Sequence, residues 1–397
     1  MKPGNWARLL LIAAPLLIGL SGCGDFWQAP ATTTTGCTTN CTTLSSGVFY
    51  VLNQETSQVV VLSISSGSLN TINTYTLPSA GPLAMVLSPN GSFLYVSTLG
   101  GGIFVYTVGS GGVLTLGNGN GPISMDAATT MQVDATNSWL VVGVSEVPQL
   151  NAIHLNPSTG LLASSSEAEQ IVALPATTVV QLAISPNDSS SCTDCYVFVA
   201  MGTGGTEEIH FSPSNTNPFG DAGNTPVLNS GGAANAVAVD PSNLLLYVGE
   251  SDALPSDAES GGLRAFIIGA TSIAENAGSP YSSGGTGPSA ILPQTGYVYV
   301  ANNAGTGSNG SIASFTLTST GTSSAPAYTF ASLGTLSAGI GPIGMTVDST
   351  NNFLLAVNLY GDPDLEAYTM SSGLLTSVLT VSTGTDPVGA IAIAAAP

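Results

Sequence analysis

Few side chains in this sequence carry chemistry, and their scarcity narrows what it can do. There are two histidines, His154 and His210, and three basic residues, two of which, Lys2 and Arg8, lie near the start. Imidazole is the usual general base near neutral pH. The candidate catalytic set is therefore His154, His210, the carboxylate of Glu250 and the guanidinium of Arg264. Each has a plainer alternative. The histidines recur at one position of successive strands, where a hydrogen-bonded, inert ring serves equally well. Arg264 is flanked by acidic loops and would pair with Glu259 or Glu250 as a brace.

Carboxylates are the other resource. Glu146, Glu207, Glu208, Glu250, Asp252, Asp257, Glu259, Asp362 and Asp364 fall in or beside a recurring class of loop. Gathered at one mouth, they would hold Ca²⁺ through oxygen ligands, with Asp252, Asp257, Glu259, Asp362 and Asp364 as the metal candidates. A bound cation there would polarise a carbonyl. The alternative is a set of solvated acidic loops, and the spacing fits no EF-hand. No Gly-x-Ser-x-Gly elbow occurs, and the Gly-rich stretches lie between strands, so the phosphate-loop reading fails.

The elements that must position these groups are strands. Charge is only 7% of the composition and Gly numbers 48, with Val, Ile, Leu, Tyr and Phe in short runs, which favours all-β structure with many turns. A strand ending in a Tyr-Val-like step recurs as Val48-Phe49-Tyr50-Val51, Phe93-Leu94-Tyr95-Val96, Trp139-Leu140-Val141-Val142, Tyr196-Val197-Phe198-Val199, Leu245-Leu246-Tyr247-Val248, Tyr297-Val298-Tyr299-Val300 and Phe353-Leu354-Leu355-Ala356-Val357. The spacing, roughly 45–57 residues, is that of propeller blades. Each copy but the first is preceded by an apolar strand and a turn such as Asp240-Pro241-Ser242-Asn243. There Pro presets φ and Asn tolerates the left-handed region. Third strands are expected over 60–64, 103–108, 152–155, 208–211, 263–268, 312–317 and 365–370, each followed by a weak fourth. The first unit lacks an innermost strand, and the chain ends with a spare one, Val388-Gly389-Ala390-Ile391-Ala392-Ile393-Ala394. The fold class expected is all-β: a seven-bladed propeller of four-stranded antiparallel blades, closed by the C-terminal strand completing blade one, which removes exposed edges.

The front end is a targeting segment. Lys2 and Arg8 precede an apolar run over 9–20, too short to span a bilayer. It ends in Leu20-Ser21-Gly22-Cys23, which resembles a bacterial lipobox and implies a lipid on Cys23. The alternative is an ordinary secretory signal with an incidental cysteine. The expected domains are a signal peptide over 1–22, a Thr/Ser/Cys-rich tether over 23–46 and the propeller over 47–397. The location expected is extracytoplasmic, lipid-anchored to the envelope, with the outer membrane preferred because Gly24 follows Cys23. An exported chain favours disulfides among Cys37, Cys41, Cys192 and Cys195, with local 37–41 and 192–195 bridges first, cross-pairing second and zinc a distant third. Beyond Cys23 one cationic side chain, Arg264, faces 23 acidic ones. Nucleic acid is thereby excluded as a partner, since phosphate binding runs on Lys and Arg. A neutral or cationic small molecule, or a protein, is the partner expected of a monomer.

With Asp240-Pro241, Tyr247-Val248 and Tyr299-Val300-Ala301-Asn302 in view, residues 47–397 resemble the lactonase-type seven-bladed β-propellers, which include 6-phosphogluconolactonase-like and YVTN repeat proteins. The resemblance implies lactone hydrolysis in catalytic members. It also implies a Pro-Arg-His step entering an inner strand and an Asn-Glu after the second. Here the entries read Pro288-Ser289-Ala290, Pro342-Ile343-Gly344 and Ala234-Asn235-Ala236, and only Glu250 stands where the Glu belongs. A phosphosugar substrate also needs cations that this chain lacks. Two functions follow: an envelope-anchored binding or scaffold module with an acidic mouth, or a hydrolase of non-phosphorylated lactones, assisted by Ca²⁺ if by any cofactor.

Overall fold

In the computed structural model, residues 45–65, 68–144, 147–164, 169–186, 195–254, 261–269, 272–305, 307–322, 325–361, 363–381 and 389–396 are described. Cys23, Cys37, Cys41, Cys192, Asp257, Glu259 and Asp362 lie outside them, as do the expected signal peptide and most of the tether. The unit described below is Thr43–Pro397.

The turn chemistry lays down the hairpins. Asp348 shows the pattern between first and second strands: its Oδ1 accepts from the backbone N–H of Asn352 at 2.8 Å and Phe353 at 2.7 Å, while Oδ2 takes Thr350. Asp134 and Asp240 do the same in their blades, and Ser88 and Ser185 act as one-bond versions. The residue needing positive φ is Asn137, Asn243 or Asn351, as the turn type demands. In these three blades a buried carboxylate thus pins the hairpin's register.

Seven antiparallel sheets result, six of four strands and one of five. Their innermost strands are Pro82–Leu87, Ala128–Val133, Gln181–Ile184, Ala233–Val239, Pro288–Gln294, Pro342–Val347 and, for blade one, Ala390–Ala395. These seven pack side by side in a closed ring. Ala390–Ala395 pairs with Ser45–Asn53, Phe49 opposite Ala395 and Asn53 opposite Ala390, so the last strand completes the first blade as expected. The ring strand begins at Ser45, two residues ahead of the expected boundary.

Second strands read as unbroken apolar runs because both faces are covered. In Leu245–Ser251, Leu246 and Val248 pack on blade four while Leu245 and Tyr247 pack on blade six. Each pair of neighbouring blades encloses its own apolar cluster, giving seven wedges of core and no central one. Tyr95 and Trp139 tie neighbours further, donating to Gly160 O at 3.0 Å and Pro213 O at 2.8 Å in the following blades.

Candidate functional site

The innermost strands leave an axial channel of about 1270 Å³. Among the described residues that line it there is no Asp, Glu, Lys, Arg or His. Its polar groups are amides and hydroxyls, and several are already engaged. Neighbouring inner strands belong to different sheets, so their facing edges share no backbone ladder. Side chains bridge the gap: Gln132 Oε1 accepts from Ile184 N at 3.2 Å and Gln181 Oε1 from Val237 N at 2.8 Å. Ser289, which stands where a catalytic relative would have Arg, donates its Oγ to Pro342 O at 2.5 Å. Among the described residues no base lines the channel beside it, and the hydroxyl ties two inner strands.

Glu250 and Arg264 come together, but between blades four and five, away from the channel lining. Arg264 Nη1 lies 3.1 Å from Glu250 Oε2, and its Nε and Nη2 grip Glu275 in a fork at 3.0 and 2.9 Å. Nη1 also donates to Pro226 O, and the guanidinium stacks 4.9 Å over Phe266. Glu250 Oε1 meanwhile accepts from Leu228 N. Burial works against the Arg264 charge, but the Glu275 and Glu250 contacts outweigh it and raise its pKa. Burial would likewise raise Glu275, and the Arg264 and Ser279 hydrogen bonds win, holding it below its ordinary value. Every guanidinium nitrogen is used, so Arg264 acts as a brace with Glu250 and Glu275 as its partners, while Glu259 lies outside the described residues.

Register explains why Glu250 is there. It pairs across from Ala234 just as Asn302 pairs with Pro288 and Asn358 with Pro342. Asn302 donates to Ser283 O and Asn358 to Pro363 O, so this repeat position secures nearby loop backbone. Glu250 has the structural job of an Asn, with an ion pair added.

The histidines stay on third strands, outside the channel lining. His154 stands opposite Trp139 and stacks on it at 4.6 Å; His210 stands opposite Tyr196, the two rings tilted by 36° at 4.4 Å. His154 also borders a small notch of about 190 Å³ with Gln170 and the turn around Asn215. The four catalytic candidates therefore form one pair and two separate aromatic contacts.

Of the carboxylates expected at the mouth, Glu146, Asp257, Glu259 and Asp362 lie outside the described residues, and the described ones are largely covered. Of the described carboxylates only Glu55, Asp221 and Glu275 are exposed. Asp134, Asp240 and Asp348 cap turns, Glu250 is braced, and Asp364 and Glu366 are buried. Asp252 is half-buried in the left-handed conformation. No group of three or more His, Cys, Asp or Glu among the described residues could hold a metal. The physical reason is economy of hydrogen bonding: a carboxylate can accept several N–H groups at once, so a chain rich in turns places its acids there.

Two carboxyl sites were not foreseen. Asn151 Nδ2 bridges Asp126 at 3.1 Å and Glu169 at 3.0 Å between blades two and three. Burial first, then the Asp126 charge, raises the Glu169 pKa. Glu208, facing blade five, is pushed up to about 7, chiefly by burial; Thr225 Oγ1 donates to it at 2.6 Å and opposes the shift. Only the strand alternation of Glu207 and Glu208 hinted that each faces a different interface. Cys195 is buried and disulfide-bonded.

Residues 40–181 match the family model described as lactonase, 7-bladed beta-propeller. No curated protein matches the chain. Among solved structures, a putative 6-phosphogluconolactonase from Bacteroides uniformis is similar at 15% identity and TM-score 0.63, over 88% of this chain and 99% of that one. The periplasmic gluconolactonase of Pseudomonas aeruginosa gives 16% and 0.62, over 89% and 100%. Hydrazine synthase from Kuenenia stuttgartiensis gives 13% and 0.52, over 89% and 99%, so the ring alone does not fix the chemistry. At these identities the likeness is one of fold. By its seven blades and its closing strand the chain is a seven-bladed β-propeller, and its residues 40–181 are similar to the lactonase family model.

Proposed function

We propose that this propeller is an envelope-anchored binding module that takes an uncharged small ligand in its axial channel and does not hydrolyse it. The observation that carries this is the channel itself: about 1270 Å³ with no charged side chain among its described lining residues. Ligand sites are concave and largely apolar with a few placed polar groups. Amides such as Asn235 and Asn303 at the channel wall fit that role. The residues a catalyst would use are spent elsewhere, Glu250 and Arg264 on each other and Ser289 on a backbone carbonyl. The lipobox-like Leu20-Ser21-Gly22-Cys23 supports a lipid anchor that keeps the module at the envelope surface, outer membrane preferred.

The second reading, hydrolysis of a non-phosphorylated lactone, rests on the matched family segment and on what the Pseudomonas relative is called. A panel of neutral and anionic lactones, assayed with and without Ca²⁺, separates the two. Binding without turnover supports the module. Turnover proportional to protein concentration overturns it. Cys23→Ala is expected to move the protein out of the membrane fraction; retention there would refute the anchor.

A further inference from the structure

The inner strands share an irregularity that sorts the channel wall by polarity. In every blade but the fourth, the ladder to the second strand skips one residue near the start of the inner strand and leaves it unpaired. The ladder of blade four, over Gln181–Ile184, is regular. A bulge re-aims the side chain it leaves unpaired. Here all of them line the channel and are half-buried. In blades seven, one and two, which are consecutive in the ring, they are Ile343, Ile391 and Leu83. In blades three, five and six they are Thr129, Asn235 and Ser289. The bulges lie at the mouth onto which the loops after the second strands open. Asn303 N donates to Gly287 O and Leu359 N to Gly341 O, each at 2.8 Å and each just ahead of a bulged strand. Two residues further along, the wall is aliphatic all round: Met85, Met131 and Met345 share one level with a Leu, Val or Ile from each of the other four blades.

Hydrogen bonding decides what the polar side of the mouth presents. Thr129 Oγ1 donates to Gly143 O at 3.3 Å and the Ser289 hydroxyl to Pro342 O, so both protons are engaged. Gln181 accepts from Val237 N through Oε1 at 2.8 Å, which fixes the orientation of its amide and leaves the Nε2 donors. Asn235 follows in the next blade, and its side-chain amide makes no hydrogen bond among the described residues. This side therefore presents amide N–H donors without charge. A ligand polar all round would set its hydroxyls against the aliphatic side and the aliphatic level. A hydrocarbon would strip water from the amides and give nothing back, and an unmade hydrogen bond costs more than a made one contributes. A molecule with two unlike ends meets both walls.

We infer that the channel takes an uncharged amphiphile: an aliphatic chain carrying a carbonyl head of the ester, lactone or amide kind. The head sits at the mouth against Asn235 and Gln181, and the chain runs past Leu83, Ile343 and Ile391 into the aliphatic level. A carbonyl oxygen has two lone pairs for these donors and needs no acceptor in return. The inference rests on the neutral-channel reading above and gives its ligand a polarity and a direction.

The test is calorimetric titration of the mature chain with γ-lactones whose side chain lengthens from none to octyl, each kept below the concentration at which it self-associates. Affinity should climb about fourfold for each methylene that reaches the aliphatic level. Asn235→Leu should weaken the octyl lactone about tenfold and leave unchanged the binding of N-phenyl-1-naphthylamine, an uncharged apolar fluorophore. Leu83→Asn should cut the advantage of the octyl lactone over the methyl one several-fold. Decanoate, with a similar chain and a charged head, should bind at least about tenfold worse than the octyl lactone. The length series uses the wild type, so it decides the matter even if a variant fails to fold. Equal affinity at every chain length, or decanoate bound as tightly as the octyl lactone, overturns the amphiphile and leaves the neutral-ligand reading standing. A channel that binds neither lactone nor fluorophore overturns both.

Discussion

The axial channel and the blade interfaces divide the chain's polar chemistry in opposite ways. The channel encloses about 1270 Å³ and its described lining is uncharged. The interfaces are its driest regions and hold Arg264, Glu250, Glu207 and Glu366. In an enzyme the arrangement is usually the reverse, with perturbed charges facing the cleft. Here charge serves to fix one blade against the next, and the space that a ligand can enter is left neutral. The lesson is that a strongly acidic composition says little about the polarity of a binding surface.

If the interfaces carry the fold, the largest effect should come from removing one. Deleting 388–397 strips the innermost strand from blade one and leaves both of its neighbours unpacked. The cooperative melt should disappear, and a normal transition in calorimetry would argue that closure is dispensable. A smaller lesion at the same seam is Gly389→Val. Any Cβ there meets Asn358 O and, at 3.0 Å, Asp364 Oδ1, both part of the packed junction with blade seven.

Next in size is the brace. Arg264→Ala leaves Glu250 buried without a counter-charge and should cost about 3–5 kcal/mol in urea unfolding. Replacing both, Arg264→Met with Glu250→Leu, should recover much of that, since a buried pair is often no better than apolar residues of similar volume. A double variant as unstable as Arg264→Ala would mean that the hydrogen bonds to Pro226 and Leu228, not the charge balance, are what matter. Asp348→Ala should follow at about 2–3 kcal/mol, because three backbone N–H groups lose a charged acceptor.

How much of this was legible follows the range of each interaction. Hairpins could be read because Asp240 and Asn243 lie three residues apart and their turn is closed locally. Ring closure could be read because 388–394 is a strand signal with no blade after it. The Arg264–Glu250 pair was legible in part, since one cation among acids must find a partner and Glu250 was one of the two acids that the sequence offered. Its stronger partner Glu275 was not, because the pairing depends on how the fourth strand folds back. The Asn151, Asp126 and Glu169 contact was equally hidden: Asp126 comes from the loop entering blade three, and only packing brings it to Asn151. The neutral channel, by contrast, was open to view. The stretches Pro82–Leu87, Ala128–Val133 and Pro342–Val347 contain no charge, and neither do the other four inner strands. Attention to loops rich in carboxylates obscured it.

A pH titration sharpens the comparison on the interface side. Glu208 has a folded-state pKa of about 7, above its ordinary 4.5, because burial disfavours its charge. A carboxyl with a raised folded value binds its proton more tightly in the native state. Its contribution is therefore full below the ordinary value and is lost as pH rises through about 7. Stability should fall over that window, and Glu208→Gln should flatten the slope. An unchanged slope in the variant would point to Glu169 or Glu207, both also raised by burial.

The smallest effect expected, that of Thr346→Asp, belongs to the most direct contrast, the same new charge placed in each region. Ala313 is wholly buried between blades five and six, within the cluster of Tyr247, Val298 and Val300. Thr346 is half-buried and lines the channel. Ala313→Asp adds volume and an unpaired carboxylate to a packed wedge and should unfold the ring or cost more than about 3 kcal/mol. Thr346→Asp places the same carboxylate where solvent reaches it and should shift stability by less than about 0.5 kcal/mol. The channel variant should nevertheless weaken any uncharged ligand found by the lactone panel, because it brings a charge that the ligand must desolvate. If Thr346→Asp were as damaging as Ala313→Asp, the channel wall would be structural core. The division between neutral binding space and charged scaffold would then fail.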